Sequence, residues 1–236
     1  MRPPSAAPRP GSRVSGPAGA GSDHVEPRPA TSLRGRLHQL AFLACLPAAA
    51  VLLAAASSPG RRLAVLVYAG SALGLFGVSG VYHRRYLPRA QRVLKRADHS
   101  MIFVFEAGSY TPFGVVLLGG ALRVGFLTAL WAVAIGGLVL ENRHIDRVGG
   151  PADLWRVLLA GFGLPFLPHV LPALDRPDVA LYLGGLAIYF AGALVLSRRR
   201  PDPAPARFGF HELSHAIMLG GTACHYLLYL RLLRGG

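Results

Sequence analysis

The 236-residue chain is too apolar for an ordinary soluble domain. Hydrophobic residues make up 52% of it and charged residues only 15%, against about 25% charged residues in soluble globular proteins. The mean hydropathy of +0.41 agrees, so the composition predicts an integral membrane protein. The net charge of +14 also fits a nucleic-acid-binding protein, a class that the positions of the charges then exclude.

The first 33 residues differ in character from the rest of the chain. They are rich in Pro, Gly, Ser, Ala and Arg and have no apolar periodicity, which is typical of segments that cannot bury enough surface to fold. We expect residues 1–33 to be a disordered, basic tail and residues 34–236 to be the membrane domain.

Seven apolar stretches follow the tail, and each is long enough to cross a bilayer as a helix. Pro165, Pro168 and Pro172 interrupt the second half of the fifth stretch. The sequence therefore predicts an all-α, polytopic protein with seven transmembrane helices. The predicted spans are Leu40–Ala56, Leu63–Tyr82, Ser100–Gly119, Val124–Leu140, Leu154–Val170, Val179–Leu196 and Phe208–Leu230.

The basic residues predict the orientation of these helices. With the N-terminus in the cytoplasm, 19 Lys and Arg residues lie on the cytoplasmic side and 6 on the outer side. Such an excess is the normal positive-inside signal, and it accounts for the net charge without nucleic acid. We expect a multi-pass protein of the plasma (inner) membrane with a cytoplasmic N-terminus and membrane lipids as its partners.

Polar side chains gather at the predicted cytoplasmic ends of three helices. Ser79 and His83 end the second helix, Asp98 begins the third, and His211 and His215 begin the seventh. A spacing of four residues puts two side chains on one helix face. A lone histidine at a membrane interface is usually a polar anchor, but polar residues within spans also indicate functional sites.

Three histidines leave one position open on a tetrahedral zinc ion, as in catalytic zinc sites. Such an ion lowers the pKa of water to about 7. We therefore predict Zn²⁺ as a cofactor held by His83, His211 and His215. We then expect Asp98 to bind that water, to accept its proton or to orient one of the histidines, and Ser79 to support His83 or to donate a hydrogen bond to a substrate oxygen.

Four segments resemble the hemolysin III family, the bacterial branch of the progestin and adipoQ receptor superfamily. They are LRGRLHQLAF (33–42), SGVYH (79–83), RADHSMIFVFEAGSYTPF (96–113) and FGFHELSH (208–215). The resemblance implies a seven-helix fold with zinc near the cytoplasmic face. It assigns the zinc to His83, His211 and His215, with Asp98 acting through water. Ser79 takes the place of the serine in the second-helix motif.

The chain departs from the family pattern at two places. Glu106 stands where relatives have an apolar residue, and we expect it to be protonated or paired within the span. The motif that precedes the first helix in the animal receptors is reduced to His38. This difference argues against a ligand-receptor role like theirs.

Three functions remain open from the sequence. The superfamily includes alkaline ceramidases, which implies a zinc-dependent hydrolase acting on amide bonds of lipids. Some bacterial relatives are described as pore-forming hemolysins. The third function is a sensor in which zinc is structural.

Overall fold

The computed structural model describes residue 33 and residues 35–84, 87–145 and 151–235. The predicted tail lies outside the described residues except for Leu33. Within the described ranges the chain is almost entirely helical and forms no β-strand; a single antiparallel bridge joins Ala204 and Phe208. The predicted all-α fold class is confirmed.

Eight α-helices follow one another along the described chain. They are α1 (Arg36–Ala55), α2 (Pro59–Arg84), α3 (Gln91–Leu117), α4 (Gly120–Arg143), α5 (Pro151–Ala160), α6 (Leu167–Val170), α7 (Arg176–Arg198) and α8 (Phe210–Arg234).

In the part of the chain that the structure describes, seven helical segments are long and apolar enough to cross a membrane, as the sequence predicted. Six of them are single helices. The fifth, Leu154–Ala173, consists of α5, α6 and two short 3₁₀ turns. Pro165, Pro168 and Pro172 each stand at the start of one of these short elements, because proline is tolerated in a first turn but interrupts the interior of a helix.

The third helix begins earlier than the apolar stretch suggested. It starts at Gln91 rather than near Ser100, since the preceding Arg, Lys, Leu and Gln residues are good helix formers. Asp98 therefore lies in the third turn of α3 instead of at its start. The polar first turns of α3 continue the helix beyond the apolar span.

The helices pack most closely in two pairs, α2 with α3 and α7 with α8, while α1 contacts α2 and α8. Aromatic side chains fill the interior; Phe103, Phe113, Phe126, Tyr182 and Tyr229 are each at most 1% exposed. Leucine side chains on α1 and α2 instead face outward, as expected of surfaces that contact lipid.

One end of the bundle collects the residues that the sequence singled out. There α1, α3 and α8 begin and α2 ends, and the side chains of His38, His83, Asp98 and His211 meet. We refer to it as the histidine end. The opposite end holds the start of α7 and the end of α8, which Arg231 joins to Asp175 and Asp178 through two 2.7 Å contacts.

Candidate metal centre

The first turn of α1 lies directly on the last turn of α2. Gly35 caps α1 with a φ of 80°, a left-handed conformation that favours glycine. A Cβ atom at Gly35 would lie 2.8 Å from Arg84 Cγ and 3.0 Å from His83 Cβ. The glycine therefore permits the close approach that brings His38, one turn later, to the histidine end.

The start of α8 is held by two carboxylates. Glu212, which is 2% exposed, accepts a hydrogen bond from the N–H of Gly209 at 2.9 Å, and Asp202 accepts one from Phe210 at 2.8 Å. Both bonds satisfy N–H groups that a helix start leaves without an intrahelical partner. They fix the turn from which His211 and His215 project.

Three histidines from α2 and α8 lie close together at this end. The ring centroids of His211 and His215 are 4.3 Å apart, and His83 lies 5.1 Å from the first and 6.2 Å from the second. All three border one small cavity, together with His38, Glu212 and the segment before α1. Residues more than 120 positions apart in sequence thus share a single site.

Neither Asp98 nor Ser79 lines this cavity. Asp98 is 9% exposed, and its Oδ2 lies 3.6 Å from His83 Nε2. A carboxylate at this distance can exchange a proton with its neighbour after a small movement. Ser79 is 2% exposed and stands one turn before His83 on α2.

The separations of the rings can be compared with those of a zinc site. Three imidazoles around one tetrahedral ion, with Zn–N bonds of about 2.0–2.1 Å, have ring centroids about 5 Å apart. The observed separations of 4.3, 5.1 and 6.2 Å lie on both sides of this value. The residue types and their spacing therefore suit zinc.

The orientations of the rings differ from those of a ligand set. Among the side chains that the structure describes, no three His, Cys, Asp or Glu residues are arranged to hold an ion together. His83 Nε2 faces Asp98, and His215 Nδ1 contacts His38 Nε2. Ligation requires at least the His83 ring to turn away from Asp98, and the ring positions are already close enough for this.

His38 is a residue of the site that the sequence did not assign to it. Its side chain is 7% exposed, packs against Phe76 and lies with its ring centroid 4.2 Å from that of His215. One signal was available, because His38 lies directly before the first predicted span, Leu40–Ala56, on the side predicted to be cytoplasmic. Nothing in the sequence pointed to a partner on α8.

A second polar cluster adjoins the site and was also missed. Glu141, at the end of α4 and 5% exposed, accepts a 2.7 Å hydrogen bond from His99 Nδ1 and contacts the guanidinium of Arg156. His99 directly follows Asp98 in α3. This cluster joins α3, α4 and α5 and fixes the part of α3 that carries Asp98.

Two other polar residues lie inside the bundle. Glu106 of α3 has its Oε2 atom buried without a hydrogen-bond partner among the described residues, so a pairing of this oxygen is not seen. His225 of α8 is buried and its Nε2 lies 3.2 Å from the carbonyl of Tyr182. Neither residue borders the histidine cavity.

Comparison with known proteins decides the family. The model of the family described as Haemolysin-III related matches residues 29–226. The chain belongs to this family. The predicted resemblance is thereby confirmed, and this haemolysin-III related protein is a membrane protein by both its family and its seven apolar helices.

Two curated relatives cover most of the chain. Hemolysin-3 of Bacillus cereus is 27% identical over 197 residues, which are 82% of this chain and 87% of the relative. The Hemolysin-3 homolog of Bacillus subtilis (strain 168) is 26% identical over 198 residues, or 82% and 89% of the two chains. No solved structure matches the chain.

Proposed function

We propose that this haemolysin-III related protein is a zinc-dependent membrane hydrolase that cleaves amide bonds of lipids. The observation that carries the proposal is the approach of His83, His211 and His215 to one another beside the carboxylate of Asp98. Imidazole is a preferred zinc ligand, and three protein ligands leave a position open.

The three histidines have the task of holding the ion. A zinc ion in such a site supplies Lewis acidity, which makes water a stronger nucleophile at neutral pH. Asp98 accepts the proton of the water that adds to the carbonyl carbon. It then returns that proton to the leaving amine as the C–N bond breaks, so the products are a fatty acid and an amine.

The surroundings of the site favour a substrate that arrives from the bilayer. Leu40 and Leu43, on the first turns of α1 after His38, are 64% and 60% exposed, which is typical of a surface covered by lipid. The resemblance to a superfamily that includes alkaline ceramidases supports a lipid amide as the substrate class. We assign Ser79, one turn before His83 on α2, the task of supporting that histidine.

The proposal also places the histidine end in the cytoplasm and the protein in the plasma (inner) membrane. The split of 19 Lys and Arg residues to 6 supports this orientation.

Both cysteines are free and can be replaced by serine. Single cysteines introduced at residue 203 and at residue 57 then report the sidedness of the two ends. An impermeant thiol reagent added to intact cells should label only the cysteine at residue 57. Labelling only at residue 203 would show that the protein has the opposite orientation in the membrane.

Hydrolysis of a fluorescent N-acyl sphingoid base in proteoliposomes tests the activity. We expect zinc-dependent turnover by the wild type and a loss of about 10²–10⁴-fold in Asp98→Asn, the usual range for removing a general acid–base group. Zinc content should not change, since Asp98 is not a ligand. Asp175→Asn, at the opposite end of the bundle, is the matched control and should remain active. Equal turnover in Asp98→Asn and wild type would contradict the mechanism.

The relatives are named as hemolysins, which favours membrane lysis as a second candidate, and the family resemblance implies a pore as its means. This function predicts conductance across planar bilayers that does not depend on His83. Among the residues that the structure describes, no chemical group is distinctive of a pore. A conductance that persists in His83→Ala, without lipid hydrolysis by the wild type, would favour the pore over the hydrolase.

A further inference from the structure

The contact between His38 and His215 joins the first and last helices of the bundle at the histidine end. His38 Nε2 contacts His215 Nδ1, and both side chains border the same cavity. Two imidazole nitrogens this close share one proton, so one ring donates and the other accepts. The shared proton lies either on His215 Nδ1 or on His38 Nε2, and its position decides which nitrogen of His215 is left to bind a metal ion.

The burial of His38 indicates that its side chain has a hydrogen-bonding role besides filling space. Its Nδ1 atom is buried and has no hydrogen-bond partner among the residues that the structure describes. Burying a polar atom in this way costs free energy that an apolar side chain at position 38 would avoid. Such exceptions to ordinary packing are most often found at functional sites.

We infer that His38 is a positioning residue that holds the His215 ring for metal binding, an inference that rests on the proposed zinc site. When His38 accepts a hydrogen bond from His215 Nδ1, the lone pair of His215 lies on Nε2, the nitrogen left to act as a ligand. Metal-bound histidines commonly donate their other N–H group to such a partner, and loss of the partner typically lowers metal affinity 10–100-fold.

The backbone at the start of α1 supports the same assignment. Gly35 adopts a left-handed conformation, and its lack of a side chain lets the segment rest on His83 and Arg84. This arrangement brings α1, an otherwise peripheral helix, to the α8 histidines. His38 thus borders the site in a position that depends on Gly35.

Two substitutions of His38 separate a hydrogen-bonding role from a packing role. The amide of glutamine lies near the position of a histidine Nε2, whereas the shorter asparagine places its amide near Nδ1. Because His38 uses Nε2, His38→Gln should keep zinc affinity within a few-fold of the wild type. His38→Asn should lower it about 10–100-fold.

Zinc affinity of the purified protein, measured by competition with a chromophoric chelator, is the test. X-ray absorption at saturating zinc then counts imidazole ligands, and the count should be the same in wild type and His38→Asn. A count lower by one in His38→Asn would make His38 a direct ligand and overturn the positioning role. Equal affinity in all three proteins would also overturn it, while leaving the zinc site in place.

The wild-type measurement separates this inference from the function on which it rests. If the wild type binds no zinc, the zinc site and the role of His38 fail together. If the wild type binds zinc but turns over no lipid amide, the hydrolase proposal fails while the affinity series still decides the role of His38.

Discussion

Gly108 controls how closely α2 and α3 can approach, and its replacement gives the sharpest prediction about the fold. A Cβ atom at Gly108 would lie 2.1 Å from Ser71 Oγ and 2.6 Å from Ser71 Cβ. Non-bonded carbon atoms normally lie about 3.5–4.0 Å apart. Gly108→Ala must therefore separate the two helices by more than about 1 Å, because the obstructing atoms belong to a short side chain with little freedom to move.

Overpacking of this kind typically destabilises a protein by about 1–3 kcal/mol. For a chain of this length each kcal/mol lowers the melting temperature by about 2–4 °C, so we expect Gly108→Ala to melt several degrees below the wild type in detergent. The double variant Ser71→Gly/Gly108→Ala removes both close atoms and should recover most of the loss.

Gly70→Ala is the matched control on α2. A Cβ atom there would meet nothing within 4 Å, and alanine is the better helix former, so the melting temperature should stay the same or rise slightly. Equal destabilisation by the Gly70 and Gly108 variants, or no recovery in the double variant, would refute the reasoning from helix contact.

Two further predictions concern ion pairs at opposite ends of the bundle, both measured as melting temperatures in detergent. Arg231→Ala removes the partly exposed contacts that join α8 to the start of α7 and should lower the melting temperature slightly, since exposed ion pairs contribute little to stability. Arg234→Ala, in the same last turn, should have no effect, and equal effects of the two substitutions would contradict the assignment. Arg156→Met removes the guanidinium beside the buried Glu141 carboxylate, which keeps its hydrogen bond to His99, and should lower the melting temperature more than Arg231→Ala does, because the pair that it breaks is more deeply buried. Arg156→Met/Glu141→Gln should recover much of that loss, and a double variant less stable than the single one would contradict this explanation.

The membrane fold could be predicted because its main constraint is local. Each spanning helix must satisfy its own backbone within lipid, so apolar length alone identifies it. The prolines at 165, 168 and 172 divided the fifth span for an equally local reason. The start of α3 was harder to predict from the sequence. Helix-forming polar residues extend this helix beyond the apolar stretch that marks the span.

The candidate site could be predicted only in part. Helix geometry and orientation predict that His211 and His215 share a helix face and that His83 lies at the same membrane depth. The contact of His38 with His215 and that of Glu141 with His99 depend on which helices become neighbours. The residues around one position in the sequence do not show which helices will pack against each other. A lone histidine or glutamate therefore gives no indication of its partner.

The zinc content of the purified protein tests the central claim most directly. Elemental analysis of the wild type should find one zinc ion per chain, and His211→Ala and His215→Ala should each lose most of it. His169→Ala, which changes a histidine of α6 away from the cavity, should bind zinc as the wild type does. A folded wild type without stoichiometric zinc, or full zinc content in His211→Ala, would contradict the account.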